Sequence, residues 1–258
     1  MRWLPSFYPP MPNTKPYIWS APPAALDVQP HQVHVWRVRL GFRTELLDQM
    51  QTSLSAEERE RAGRFHFLAD RDRYIASHGC LRDVLSRYLH CKPDQPLFSV
   101  NEYGKPALQN QELAFNLSHS GDFTLIAVAR GRQIGVDLER VRQGISSSVI
   151  ARQYFSKAEF EELQALPMRQ RETAFFTCWT RKEAYIKARG LGLSLPLESF
   201  DVSLTPNEPA ILRATRPDPE EAARWMFFPL KTDPHYESAV AAEGKELELK
   251  LWDWNMTI

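Results

Sequence analysis

Four side chains carry the first hint of chemistry. "IGVDLER" ends an apolar segment with Asp137 and Glu139. Residues two apart on a strand share a face. Two carboxylates on one face repel unless a cation or a proton relieves them. A hard divalent cation such as Mg²⁺ gives that relief, keeps some of its water and takes phosphate oxygens as further ligands. The same pair could instead end a solvated strand, neutralised by Arg140 and Arg142. Further on, "CWTRKEAYIKARG" spaces Trp179, Glu183 and Lys187 by four, just before Gly190. That spacing stacks them on one face of a helix. Alone, Glu183 and Lys187 make a surface ion pair worth ~0.5 kcal/mol. Beside the two acids, Glu183 becomes a third hard ligand and Lys187 reaches phosphate charge one turn later.

Two shorter segments add polar groups. "FNLSHSGD" offers Ser118 and His119 in what reads as a tight turn between strands. Such a turn presents a hydroxyl, an imidazole and backbone N–H groups to a phosphate; a hydrogen-bonded turn histidine is the plainer alternative. "EYGKPAL" puts Lys105 in a second turn.

The elements that must hold these groups follow from periodicity. Val33 to Leu40 alternates as a first strand. Ser55 with Glu58 three residues on is a capping box that opens a helix, and Ser156 with Glu159 is a second one. Long amphipathic helices are expected from about Asp70 to His90 and from about Arg171 to Arg189, the latter stopped by Gly190. The apolar run Phe123 to Ala129 reads as a buried central strand, and "FDVSL", "RWMFFPLK", "YESAVAA" and "LELKLWDW" as strands of the tail. Strands and helices come in runs, so the class is α+β with mostly antiparallel pairing. Two similar halves are expected, each a sheet with a long helix: residues 31–130, and 131–258 with the acids.

Composition narrows the function. Lys plus Arg equal Asp plus Glu at 32 each, so bulk charge favours neither nucleic acid nor membrane as partner. Three cysteines without metal-type spacing argue against a disulfide framework or a zinc site; Cys80 and Cys178 read as core, and the compartment as a reducing cytoplasm. No apolar run is long enough to span a bilayer. The first thirty residues hold eight prolines, an extended arm whose aromatics (Trp3, Phe7, Tyr8, Tyr17, Trp19) should lie on the body.

Taken in order, "EYGKPAL", "FNLSHSGD", "IGVDLE" and "CWTRKEAYIK…GLGLSLPL" closely resemble the Sfp-type 4′-phosphopantetheinyl transferases, over about Val33 to Ala242. The resemblance implies an enzyme that moves the phosphopantetheine arm of coenzyme A onto a serine of an apo acyl, peptidyl or aryl carrier protein and releases 3′,5′-ADP. It implies a monomer, with two pseudo-twofold-related α+β halves in one chain and coenzyme A in the cleft between them. By position, Asp137, Glu139 and Glu183 would hold Mg²⁺, or Mn²⁺ in its place. Lys187 would contact phosphate, and Glu183 is the candidate base. Ser118 and His119 would bind coenzyme A, His119 near the 3′-phosphate, and Lys105 would border the adenine. The family often places two basic residues for the 3′-phosphate in the first capped helix. Arg61 matches one, but Glu58 stands at the other; Arg64 and Arg73 are the candidates to compensate. Two other classes remain: a non-catalytic coenzyme A-binding regulator, which should have lost an acid or the lysine, and a Mg²⁺-nucleotide hydrolase, for which no P-loop glycine pattern exists.

Overall fold

The computed structural model describes residues 18–109, 112–142, 147–206, 208–216 and 218–255. The first half runs β1 (Gln32–Arg39), α1 (Thr44–Ser53), α2 (Ala56–Gly63), α3 (Leu68–Leu89), β2 (Phe98–Val100), β3 (Pro106–Leu108), β4 (Leu113–Ser120) and β5 (Phe123–Arg130). The second repeats that order: β6 (Ile134–Arg140), α4 (Ser147–Tyr154), α5 (Lys157–Ala165), α6 (Met168–Arg189), β7 (Phe200–Val202), β8 (Leu212–Thr215), β9 (Trp225–Leu230) and β10 (Tyr236–Glu243). β11 (Glu248–Asp253) follows. The correspondence reaches the sheets, ordered β11-β1-β5-β4 and β6-β10-β9. All pairings within them are antiparallel except β11, which returns to lie parallel to β1.

The layers are helix, sheet, sheet, helix. On β5, Ile126 and Val128 pack towards α3 while Phe123, Leu125, Ala127 and Ala129 join the core between the sheets. On β10, Ala239 and Ala241 pack in the α6 core, and Val240 and Ala242 face the other sheet. Strands covered on both faces cannot alternate apolar with polar, which explains the unbroken apolar run at Phe123 to Ala129. Cys80 and Cys178 are both core residues, and burial pushes both thiols well up.

Both capping boxes form, and each also anchors its half. Glu58 accepts from Ser55 N–H and pairs with Arg82 of α3 at 2.6 Å, while Arg82 donates to Pro96 O. Glu159 accepts from Ser156 N–H and pairs with Lys182 of α6 at 2.8 Å, while Lys182 donates to Leu197 O and Phe200 O. In both halves an ion pair, fully buried in the second and partly buried in the first, ties the capped helix to the long helix and to the chain leaving it. Burying such charges is tolerable only because their remaining hydrogen-bonding groups are met as well.

Several expectations shift. α3 and α6 begin at Leu68 and Met168, earlier than the apolar spacing indicated. α1 carried no capping signature: Arg43 at its N-cap makes no side-chain bond. Of the N-terminal aromatics, Trp19 does lie on the body. Its indole donates to Lys231 O at 2.8 Å and its ring lies under Arg37 at 4.7 Å. Trp3, Phe7, Tyr8 and Tyr17 lie outside the described residues.

Candidate functional site

The two sheets meet edge to edge at β4 and β6, and side chains replace the backbone ladder there. Asn116 Oδ1 accepts from Val136 N–H at 2.8 Å, Ser118 Oγ donates to Asp137 Oδ1 at 2.9 Å, and Ser120 Oγ donates to Glu139 Oε2 at 3.0 Å. Asn116, Ser118 and Ser120 are two residues apart and share one face of β4. Asp137 and Glu139 share one face of β6, as their spacing indicates. One expectation is corrected here. Ser118 and His119 lie inside β4, paired with Leu125 and Thr124, and the turn is Gly121–Asp122. Gly121 has a φ of 55°, and a Cβ there would meet the Tyr236 hydroxyl at 2.4 Å.

α6 lies across β6 and brings Glu183 and Lys187 to the same seam. The crossing is close because residue 135 is glycine. A Cβ at that position would stand 2.1 Å from Ala184 O and 2.4 Å from Ala188 N. Lys187 Nζ donates to Asp137 Oδ1 at 2.6 Å and to Ser118 Oγ at 3.0 Å. Asp137 Oδ2 is buried with no hydrogen-bond partner among the described residues, the arrangement of an acceptor left over for a ligand. Burial and then the Asp137 charge raise the Glu183 carboxyl above its ordinary value, with Lys187 opposing. Glu139 is raised by burial and by Asp137, with Ser120 opposing. The three carboxylates therefore feel one another.

They form a hard, oxygen-only donor set with one orphaned oxygen, which fits a divalent cation in chemistry. They do not close on a single point. Among the described residues no group of three or more His, Cys, Asp or Glu stands as a ready metal centre. The Lys187 ammonium supplies the counter-charge to Asp137 instead.

The remaining sequence-flagged residues divide. His119 projects on the α3 side of β4, the face that Phe115 and Leu117 give to the α3 core. Its imidazole is pushed down first by burial and then by Lys187, His78 and Arg73. Arg61 lies over the Tyr74 ring at 5.5 Å, and Arg73 pairs with Asp70 at 3.1 Å. Arg64 pairs with Glu60 on the exposed face of α2. Lys105 spends its ammonium on two backbone carbonyls, Ala188 O at 2.8 Å and Ile134 O at 3.1 Å. Burial lowers it to about 8. With Asn101, which donates to Gly190 O at 2.8 Å, it closes the C-terminus of α6, where a cation also suits the helix dipole. Gly190 itself, at a φ of 64°, is the left-handed cap. Sequence reasoning passed over Ser120, Asn116 and His78. The two-residue spacing from Ser118 could have found the first two.

Residues 133–242 match the family model of the 4′-phosphopantetheinyl transferase superfamily, and residues 43–131 match that of the 4′-phosphopantetheinyl transferase N-terminal region. The 4′-phosphopantetheinyl transferase HetI of Nostoc sp. is 37% identical over 242 residues, 92% of this chain and 99% of the relative. The 4′-phosphopantetheinyl transferase Sfp of Bacillus subtilis is 32% identical over 196 residues, 76% of this chain and 84% of the relative. The rat L-aminoadipate-semialdehyde dehydrogenase-phosphopantetheinyl transferase is 30% identical over 206 residues, 73% and 67% of the two chains. With matches across both halves and both long helices, the chain belongs to the 4′-phosphopantetheinyl transferase superfamily and is a transferase of its Sfp type.

Proposed function

We propose that this protein transfers the 4′-phosphopantetheine arm of coenzyme A to a serine of an apo carrier protein, releases 3′,5′-ADP and depends on Mg²⁺. The observation that carries the reading is the seam itself. Asp137 is buried with Lys187 and Ser118 on one oxygen and, among the described residues, no partner on the other, and Glu139 and Glu183 are raised beside it. Asp137, Glu139 and Glu183 would hold Mg²⁺, which when bound supplies positive charge against the pyrophosphate.

The protein's own groups do the rest. Lys187 stands where it can turn from Asp137 to a phosphate oxygen and steady the charge that builds there. The carrier serine attacks the β-phosphorus; its O–P bond forms as the P–O bond to the departing nucleotide breaks. Its proton passes to Glu183, whose raised affinity for protons suits a base. Glu183 makes no hydrogen bond or ion pair among the described residues, so its carboxylate is not committed elsewhere. No enzyme nucleophile is required, and Cys178, fully buried, is structural.

The carrier would dock beside α4 and the start of α5. Val149 is 65% exposed and Tyr154 39% exposed, and Arg152 lies over the Phe160 ring at 5.3 Å. Tyr154 meets Trp179 edge-on, and Trp179 is one turn before Glu183, so the patch continues to the acids. An apolar surface with basic groups suits the acidic helix that such carriers present. Of the other apolar residues of this segment, Phe155 is core and adds nothing to the surface, and Ile145 lies outside the described residues. Both halves that frame the seam are in one chain, which supports a monomer. Its three cysteines are free, in keeping with a reducing cytoplasm. Among the described residues no helix is long and apolar enough to cross a membrane.

The test is stoichiometry. 3′,5′-ADP should appear only when an apo carrier is present, one per carrier modified. Nucleotide release without a carrier would favour a hydrolase, and tight coenzyme A binding with no release would favour a regulator. A panel of carriers from fatty-acid, polyketide and nonribosomal peptide synthesis, ranked by kcat/KM, identifies the pathway served.

A further inference from the structure

The Gly121–Asp122 turn belongs to the first half, yet the second half holds it. Tyr236, the first residue of β10, puts its side chain into the core between the sheets and is 6% exposed. Its ring meets Phe123 edge-on, with centroids 5.2 Å apart. Its hydroxyl accepts the Asp122 N–H at 3.0 Å. A Cβ on residue 121 would meet that hydroxyl and would also lie 3.2 Å from Arg140 Cδ, so the turn sits directly on the tyrosine. On the other side, Leu40 N–H donates to Asp122 O at 2.7 Å.

Ser120 immediately precedes this turn and is buried. Its Oγ accepts the Arg140 N–H at 3.1 Å and donates to Glu139 Oε2 at 3.0 Å. A serine hydroxyl has a single proton. With a backbone N–H on its lone pair, that proton is directed to the carboxylate. Arg140 is in turn the cross-strand partner of Tyr236. Among the described residues, Ser120 is the hydrogen-bond partner of the Glu139 side chain, with no ion pair beside it. The direction of this carboxylate therefore depends on one hydroxyl, and the place of that hydroxyl depends on the turn that Tyr236 holds.

We propose that Tyr236 is a positioning residue for arm transfer: its hydroxyl sets the Gly121–Asp122 turn, the turn sets Ser120, and Ser120 aims the Glu139 carboxylate at a divalent cation. The assignment adds a residue of β10 that is neither acid nor base, and it rests on the reading of Glu139 as a cation ligand. A carboxylate released from its orienting partner spreads over several rotamers, and partners of this kind are worth about 10–100-fold in metal affinity.

The experiment titrates Mn²⁺, with coenzyme A present, into wild-type protein, Tyr236→Phe, Ser120→Ala and the double variant. Free Mn²⁺ is read by electron paramagnetic resonance, with coenzyme A alone as the blank. Tyr236→Phe keeps the ring in the core and removes only the oxygen. It should weaken Mn²⁺ about tenfold and lower kcat for arm transfer, while KM for the carrier protein stays within about twofold. Ser120→Ala should do the same. In that background, loss of the tyrosine hydroxyl should cost less than about twofold more, because the tyrosine acts through the serine. A tyrosine that only stabilises the fold would lower the melting temperature and leave Mn²⁺ affinity unchanged. That result overturns the assignment, as do losses that multiply in the double variant, and in either case the metal reading stands. A wild-type protein that binds no Mn²⁺ overturns the metal reading and this assignment with it.

Discussion

Gly135→Ala tests whether the close crossing of α6 over β6 sets the site. The added methyl would lie 2.1 Å from Ala184 O, 2.4 Å from Ala188 N and 3.0 Å from Ala188 Cα. All three atoms are helix backbone, so no side-chain rotation relieves the clash. Ordinary contact between such atoms begins at about 3.5 Å, so the helix must withdraw by roughly 1 Å. Glu183 and Lys187 flank the contact and must move with it. The Lys187–Asp137 pair, at 2.6 Å, would then lie beyond good hydrogen-bond length. A displacement of this size between reacting groups costs about 10²-fold in rate, and overpacking costs about 1–3 kcal/mol in stability. The assay is kcat for arm transfer to a carrier protein, with thermal melting followed by circular dichroism. The expected result is a folded variant, melting lower by roughly 2–10 °C, with kcat reduced about a hundredfold. Wild-type kcat and an unchanged melting temperature would refute the reasoning. So would outright unfolding, because it would make the effect global instead of a graded shift of α6.

Three further outcomes follow from the structure. Burial alone would raise the Glu58 carboxyl, but hydrogen bonds from His78, Ser55 N–H and Arg82 bring it down to about 2. A carboxyl lowered in the folded state stabilises above its unfolded value, about 4.5, and that stability is lost as pH falls towards 2. Glu58→Gln should therefore cost about 3 kcal/mol at neutral pH and flatten the acid limb of the melting profile; an equally steep limb would contradict the clamp. Lys105→Met strands the Ala188 and Ile134 carbonyls and should cost about 1–3 kcal/mol, read as a lower denaturant midpoint at unchanged slope. Arg152→Glu should raise KM for the carrier and leave coenzyme A affinity alone, with the defect shrinking as salt screens the charge. Equal loss of coenzyme A affinity would move the docking surface elsewhere.

What was legible in the sequence was local or periodic. Both capping boxes show in four residues each, because their hydrogen bonds close over three positions. The two-residue spacing of Asp137 and Glu139 and the four-residue spacing of Glu183 and Lys187 each place a pair on one face, since strand and helix repeats are fixed by geometry. Contacts that close over long stretches of chain were not legible. β11 pairs with β1 more than two hundred residues away, and nothing in "LELKLWDW" names its partner. Ser-His-Ser-Gly-Asp has the composition of a turn, yet pairing with β5 draws its first three residues into a strand. Lys105 looked like a ligand-facing lysine, and only the fold shows its ammonium on the carbonyls of α6 and β6. Gly135 was an unremarked letter of "IGVDLE" until α6 was seen to pass over it. Glu58 looked like a missing base because Arg82 and His78, its partners, lie on the next helix.

The central claim is that the seam between the halves is a metal-assisted transferase site, and intact mass spectrometry of the carrier tests it most directly. Coenzyme A, Mg²⁺ and an apo carrier protein are incubated with wild-type protein and with Asp137→Ala, Glu139→Ala and Glu183→Ala. The wild type should add one phosphopantetheine arm to one serine, and added chelator should stop it. None of the three variants should add the arm, and Glu183→Ala, whose side chain makes no hydrogen bond among the described residues, should melt as the wild type does. No mass gain on any carrier of the panel, or wild-type transfer by all three variants, would contradict the account.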